Sequence, residues 1–157
     1  MKKMLLILLL AVVSMCSACD KSKQADPCNG FAWLTAPVKV GIILKDKVTG
    51  ENFFLSRNID VSKITITPAE TLTIQTNRNP DTYGALSFLA EQTKKGDIKY
   101  TINIPEVGAL NLSHTNVEKA TGTPCHPSMI IVGEPVIEGY SYTVENKDTY
   151  YIITVKM

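Results

Sequence analysis

Residues 98–104 read IKYTINI, and this stretch decides the fold class. Its apolar residues occupy every second position, as Ile98, Tyr100, Ile102 and Ile104. Because successive side chains of a β-strand point to opposite faces of a sheet, this alternation predicts a strand with one buried face. Pro105 predicts the end of the strand, since proline has no N–H for the hydrogen-bond ladder.

Strand-like patterns recur on both sides of this stretch. Seven further segments show them: residues 38–46, 52–55, 61–67, 71–76, 110–114, 140–144 and 150–155. The run DKVTG at residues 46–50 predicts a hairpin leading into strand 52–55, because glycine supplies the positive φ of such a turn. Residues 83–93 are ambiguous, and a strand is favoured there because a helix would begin after Gly84 and span only about two turns.

About eight or nine short strands without a long helical pattern predict an all-β fold, built as a single β-sandwich. The sequence shows neither an internal repeat nor a second domain, and it lacks the βαβ alternation of nucleotide-binding folds. A length of 157 residues with 45% hydrophobic and 20% charged residues is typical of one globular domain. The formal charge of +1 gives no basic surface for nucleic acid.

The N-terminus has the pattern of an export signal. Lys2 and Lys3 precede an apolar run of 12 residues at positions 4–15. That run is shorter than the roughly 20 residues of a membrane-spanning helix and matches the core of a secretory signal peptide. The small residues before Cys19 resemble the lipobox of bacterial lipoproteins, in which the cysteine is lipidated and becomes the new N-terminus. One departure is Cys16, which stands where that motif prefers leucine.

This resemblance implies three segments: a signal peptide at 1–18, a lipidated Cys19 with a flexible tether at 19–27, and a β-sandwich domain at 28–157. The expected location is the cell envelope, at the outer membrane, with the Cys19 lipid as the membrane contact. Two or three acyl chains on one cysteine would make the anchor effectively permanent, whereas a single chain binds only marginally. The alternative is an ordinary secreted protein that is cleaved near Ala18.

The cysteine count then leaves a pair for the domain. Of the four cysteines, Cys16 leaves with the signal and Cys19 carries lipid, so Cys28 and Cys125 remain. An even remainder in an exported protein favours a disulfide between them. The alternatives are two free thiols, or a metal pair completed by His126, although the C-x-x-C spacing typical of zinc sites is absent.

The sequence contains no recognisable catalytic or cofactor motif. Its two histidines are His114, which shares the apolar face of its strand and is expected to pack there, and His126, which is expected in an exposed loop. Acidic residues lie mostly beside lysines, as is typical of solvated turns. We therefore predict no catalytic residue, no metal and no cofactor, and a protein that is not an enzyme.

Exposed aromatic side chains are the remaining candidates for ligand contact. Trp33 lies just after the tether, and Phe54 lies beside the first predicted turn. Either could face outward and contact a sugar or a partner protein. The alternative for both is packing in the core.

The lipobox, the polar tether, the turn at residues 45–51 and the Tyr- and Ile-rich C-terminal strands together resemble the small envelope lipoproteins common in Bacteroidetes. This resemblance implies an immunoglobulin-like or transthyretin-like sandwich. The expected function is a membrane-anchored, non-enzymatic binding or structural module for a protein or glycan partner. The alternatives are a hydrolase whose site assembles from distant strands, and an inhibitor or accessory subunit that inserts a loop such as residues 120–127.

Overall fold

The stretch at residues 98–104 forms most of the first strand of a long antiparallel hairpin. The structure is a computed structural model that describes Cys28, residues 36–77 and residues 79–157. In order, its strands are β1 (Lys39–Lys45), β2 (Thr65–Thr67), β3 (Thr73–Ile74), β4 (Leu86–Leu89), β5 (Gly96–Ile104), β6 (Gly108–Thr123), β7 (His126–Val132), β8 (Val136–Ile137), β9 (Ser141–Lys147) and β10 (Tyr150–Lys156). The helical elements are α1 (Phe53–Ser56) and a 3₁₀ helix at Val61–Lys63.

The described strands form two sheets, which confirms the predicted all-β class. Sheet 1 has the order β3-β4-β1-β10-β9, and sheet 2 has the order β2-β5-β6-β7, with β8 also paired to β6. The pairing of β1 with β10 is parallel, and the other strand pairs are antiparallel. The first and last strands of the fold therefore lie side by side at the centre of sheet 1.

One hydrophobic core takes side chains from both sheets. The alternating residues of β5 enter it as predicted, with Tyr100, Ile102 and Ile104 buried. They meet Leu110 and Leu112 from β6 and the inward-facing residues of β1, β4 and β10. The Tyr100 hydroxyl accepts a hydrogen bond from the backbone N–H of Glu91 at 2.8 Å, so its polar end is satisfied inside the core.

The predicted turn at residues 46–50 is present, but the strand expected after it is wrong. Asp46 Oδ1 accepts from the backbone N–H groups of Val48 and Thr49, both at 2.8 Å, and Gly50 takes φ +74°. Pairing stops after a single bridge between Lys45 and Asn52. Asn52 then caps helix α1 over residues that were predicted as a strand.

Residues 83–93 contain strand β4, as was favoured. The loop expected around residues 120–127 is instead the end of a hairpin, because β6 continues to Thr123 and His126 begins β7. Strand β5 pairs with β6 only as far as Asn116, so residues 117–131 extend beyond it. We call residues 117–131 the β6–β7 arm.

The predicted disulfide between Cys28 and Cys125 is formed, with an S–S distance of 2.02 Å. It replaces the two alternatives, the free thiols and the metal pair with His126. The bond attaches Cys28 to the turn at the end of the β6–β7 arm. The predicted lipidation residue Cys19 and the candidate contact Trp33 lie outside the described residues. Among the helices that are described, none has the length and apolarity to cross a membrane.

Candidate functional site

Sheet 1 buries apolar side chains on the face turned away from the shared core. Ile43, Ala85 and Ile152 form a second, smaller buried cluster there, with Tyr150 packed against it. The Tyr150 ring lies over Gly41, where an added Cβ would collide with the tyrosine hydroxyl. That hydroxyl is 2.6 Å from Ser87 Oγ. The outer face of sheet 1 therefore contains a small buried apolar cluster, which an ordinary solvated sheet face does not require.

A concave pocket of about 720 Å³ opens at one end of this outer face. We call it the Tyr83 pocket, and its lining residues are Ile43, Lys45, Gly50, Asn52, Leu55, Thr76, Pro80 and Tyr83. The volume lies within the range of roughly 300–1,000 Å³ typical of small-ligand sites. The lining combines apolar side chains with an ammonium, an amide and two hydroxyl groups, which suits a polar ligand that has one apolar face.

Asn52 joins two walls of the Tyr83 pocket. Its Oδ1 accepts from the backbone N–H groups of Phe54 at 3.0 Å and Leu55 at 3.4 Å, and so holds helix α1. Its Nδ2 donates to the carbonyl oxygen of Gly84 at 3.2 Å. Gly84 has φ +74°, and an added Cβ there would lie 2.7 Å from the Leu55 side chain. Glycine is therefore favoured at this position, and Asn52 connects the two pocket walls by hydrogen bonds.

Tyr83 stands at the end of a compact turn that begins at Asn79. The Asn79 carbonyl oxygen accepts from the backbone N–H groups of Thr82 at 3.2 Å and Tyr83 at 2.9 Å. The backbone N–H of Gly84 donates to the carbonyl oxygen of Gln75 at 2.7 Å, which ties the turn to the segment after β3. The Tyr83 side chain is 48% exposed, so a rigid backbone presents an open aromatic ring at the pocket rim.

Two lysines lie beside each other at the same end of sheet 1. Lys45 and Lys156 are register partners in the parallel β1–β10 pair, and both are exposed. Both lysines lie on the outer face of sheet 1. Side chains at even spacing along a strand share a face, and Lys45 lies two residues after Ile43 while Lys156 lies four residues after Ile152. Within the described part of the chain, neither forms a salt bridge, whereas Arg57, Lys95 and Lys147 do. Of the two lysines, Lys45 lines the Tyr83 pocket and Lys156 lies outside its lining.

Phe54, predicted as a ligand contact, is 2% exposed and packs in the shared core beside Phe53. The ring has no open face for a ligand, and core packing, the alternative weighed for it, is what the structure shows. His126 begins strand β7 and is partly buried, which corrects the expectation of an exposed loop residue. The residues that do form a pocket, Tyr83 and Asn52 above all, were not singled out from the sequence.

His114 is packed in the interior, as predicted, and is 3% exposed. Its ring stacks near Tyr100 with 5.8 Å between the centroids, and neither ring nitrogen makes a hydrogen bond. Asn116, two residues on, donates from Nδ2 to the carbonyl oxygens of Glu91 and Lys94 at 2.7 and 2.8 Å. Burial lowers the pKa of His114, while the nearby Asn116 side chain and the Glu91 carboxylate oppose that shift.

The described residues show no cluster of three or more metal-ligating side chains. Another pocket, of about 470 Å³, lies between β7 and the β9–β10 turn. Its lining includes Ala36, which directly follows residues that the structure does not describe, and no ligand is assigned to it for this reason. Compared with known protein families, curated proteins and solved structures, the chain matches none of them. The Tyr83 pocket must therefore be interpreted from its own residues.

Proposed function

We propose that this protein is a non-enzymatic binding module of the cell envelope, anchored to the outer membrane by lipid on Cys19, and that it binds a protein or glycan partner at the Tyr83 pocket. The observation that carries the proposal is the half-exposed Tyr83 ring at the rim of a pocket with fixed walls. Tyrosine offers a large apolar face and a polar hydroxyl at a small cost in side-chain entropy, which is why it is enriched at binding surfaces.

The construction of the pocket supports binding rather than a purely structural role. Asn52 uses both ends of its amide to hold the walls together, and Gly84 takes a backbone conformation that other residues rarely adopt. Because these groups are already in place, a ligand would meet little ordering cost when it enters. A solvent-facing turn without a ligand would not need this degree of fixation.

For the architecture, we propose that the two sheets pack face to face as a single β-sandwich of immunoglobulin-like or transthyretin-like type. The shared hydrophobic core, with side chains from both sheets, supports this arrangement. The disulfide supports an exported location, because disulfides persist in oxidising compartments. The membrane anchor itself rests on the resemblance of the residues before Cys19 to a lipobox.

The binding proposal is tested with the full lipoprotein, purified in detergent and applied to glycan arrays and to crosslinked envelope extract. Three forms are compared: wild type, Tyr83→Ala, and Val117→Ala as a control that removes a comparably exposed side chain from the β6–β7 arm. We expect Tyr83→Ala to weaken capture of the bound glycan or protein about tenfold, while Val117→Ala binds like wild type. Equal binding by all three forms would refute a role for the pocket.

The anchor is tested separately by mass spectrometry of the mature N-terminus. The expected species begins at Cys19 and carries a diacylglycerol, and globomycin treatment should leave the uncleaved precursor. Cys19→Ser should remove the diacylglycerol, because serine has no thiol to accept it. A mature N-terminus after Cys19 would contradict the anchor and leave the pocket proposal untouched.

A further inference from the structure

We infer that the pocket of about 470 Å³ between β7 and the β9–β10 turn is the docking site for an apolar segment of this same chain, residues 31–34, with Trp33 as its main side chain. We call this pocket the β7 groove. The inference is independent of ligand binding at the Tyr83 pocket. Three observations carry it: where the chain is held on either side of the segment, how far the segment can reach, and the apolar character of the groove.

The chain on either side of residues 29–35 is held at the two ends of β7. Cys28 is bonded to Cys125, which directly precedes the first residue of β7. Ala36 lines the β7 groove, as does Val132, the last residue of β7. Residues 29–35 therefore connect a point at the start of this strand to the groove near its end.

The length of the connection leaves little slack. Strand β7 contains seven residues and is about 20 Å long. The Tyr151 hydroxyl donates to the carbonyl oxygen of Val132, and Tyr151 lies opposite Val40, so the first residues of β1 lie at the end of β7 that is far from the disulfide. The eight peptide units from Cys28 to Ala36 span at most about 28 Å. A path along β7 fits this length, and it passes the groove.

The segment and the groove are both apolar. Residues 31–34 read FAWL, and they follow Asn29 and Gly30. The groove offers apolar side chains in return: Val38, Met129, Ile130, Ile131, Val132 and Tyr151. Removing such surfaces from water together is favourable. Asn146 and Thr149 also line the groove and carry oxygen atoms that can accept from an indole N–H, the hydrogen bond that a buried tryptophan usually makes.

The other occupants to consider are an apolar peptide of a partner protein and a second copy of this chain. Either one would lose translational and rotational freedom on binding. Residues 31–34 are already held near the groove by the disulfide on one side and by β1 on the other, which gives them a high effective concentration there. This difference favours the chain's own segment. Docking would also withdraw Trp33 from contact with a ligand.

The test uses Trp33 as its own probe, because it is the only tryptophan of the chain. Fluorescence of the full lipoprotein in detergent is recorded with two quenchers. Iodide reaches side chains that are exposed to water, and a brominated form of the detergent reaches side chains that lie in the micelle. We expect the folded protein to emit at a shorter wavelength than the urea-unfolded chain, and neither quencher to have more than a small effect on it.

Variants of the groove then test whether β7 provides the protection. Ile130→Asp should shift the emission to longer wavelength and restore quenching by iodide, because a carboxylate in the groove opposes burial of the indole. Ile130→Ala is a milder change, which should restore part of the iodide quenching and keeps the test decisive if the aspartate variant does not fold. Val117→Asp makes the same kind of change at an exposed position of the β6–β7 arm outside the groove lining, and it should leave the emission unchanged.

Four results would overturn the inference. Iodide quenching as strong as in the unfolded chain would leave Trp33 in water, and quenching by the brominated detergent would place it in the micelle. Protection that persists in a folded Ile130 variant would assign Trp33 to another site. Protection that disappears on dilution would assign the groove to a second copy. Each of these results would leave the role of Tyr83 in binding untouched.

Discussion

Removing the Cys28–Cys125 disulfide should lower the stability of the domain by several kcal/mol. The bond closes a loop with a sequence separation of 97 residues, which contains β1 through β6. In the chain-entropy description, a loop of this length restricts the unfolded chain and stabilises the folded state by about 4.7 kcal/mol. For a domain of this size, that difference corresponds to a fall in the melting temperature of about 10–20 °C.

The measurement is urea unfolding of the double variant Cys28→Ser/Cys125→Ser beside the wild type, with and without reductant, followed by circular dichroism. The double variant and the reduced wild type should unfold at the same lower urea concentration. Both should also show a steeper denaturant dependence, because an unfolded chain without the crosslink exposes more surface. Reductant should leave the double variant unchanged, which controls for effects unrelated to this bond.

A loss below about 1 kcal/mol would refute the loop-closure reasoning, because removal of a native disulfide typically costs about 2–5 kcal/mol. Such a result would mean that the unfolded chain is already compact without the bond. A loss with an unchanged denaturant dependence would place the effect in the folded state instead of the unfolded chain.

Three further changes test the site and the core. Asn52→Ala should lose about 1–3 kcal/mol of stability by urea unfolding, whereas Asn52→Asp should keep the helix cap and lose only the bond to Gly84; equal losses would contradict the double role of the amide. Burial lowers the pKa of His114, so the contribution of this residue to stability should be complete above about pH 6.5 and should fall as the pH drops from there to the lower pKa of the folded state. His114→Leu should abolish this pH dependence of the free energy of unfolding. Gly41→Ala should destabilise by about 1–3 kcal/mol through collision with Tyr150, and Tyr150→Leu in the same chain should recover part of this loss; purely additive effects would exclude the collision as the cause.

Local sequence patterns correctly predicted those strands and turns whose conformation is determined by the side chains within them. The alternation at residues 98–104 became β5, because one face of that strand lies in the core. The turn at residues 46–50 formed because Asp46 and Gly50 provide its hydrogen bonds and its positive φ. The disulfide was predicted by counting, since Cys28 and Cys125 remain once Cys16 and Cys19 are assigned to the expected signal and anchor.

The errors arose where a distant contact or a cap decides the outcome. Residues 52–55 have the composition of a strand, but Asn52 satisfies the N–H groups of Phe54 and Leu55, and the chain turns into a helix. Strand β7 was missed because His126 and Pro127 resemble a loop, while its pairing with β6 is settled by the hairpin register.

The Tyr83 pocket could not be predicted from any single stretch of sequence. Its lining comes from β1, the α1 region, the segment after β3 and the turn before β4, and these meet only when sheet 1 assembles. The parallel pairing of β1 with β10, which also brings Lys45 beside Lys156, joins the two ends of the domain. The one local signal was that Tyr83 follows the Asn79–Pro80 turn, so that a large aromatic residue is expected in a loop, where binding residues are common.

Strand β1 runs along sheet 1, and the Tyr83 pocket lies at the end where this strand finishes. Strand β1 begins beside the β9–β10 turn, where the backbone N–H of Lys39 donates to Thr149. The neighbouring Tyr151 hydroxyl donates to the carbonyl of Val132 at the base of the β6–β7 arm. About 20 Å further along, at Lys45, the same strand reaches the Tyr83 pocket. The disulfide joins Cys28 to the turn at the far end of that arm.

If Cys19 is lipidated, the nine residues up to Cys28 hold the end of the arm within about 30 Å of the lipid, and we expect the pocket to open away from the membrane. Fluorophores at Ala120 on the arm and at Val48, 93% exposed near the pocket, would report this in vesicles that contain an acceptor lipid. Energy transfer should be stronger from Ala120 than from Val48, and reduction of the disulfide should lessen the difference, because Cys28 is then no longer attached to the arm. Stronger transfer from Val48 in the oxidised protein would reverse the orientation and place the pocket against the membrane.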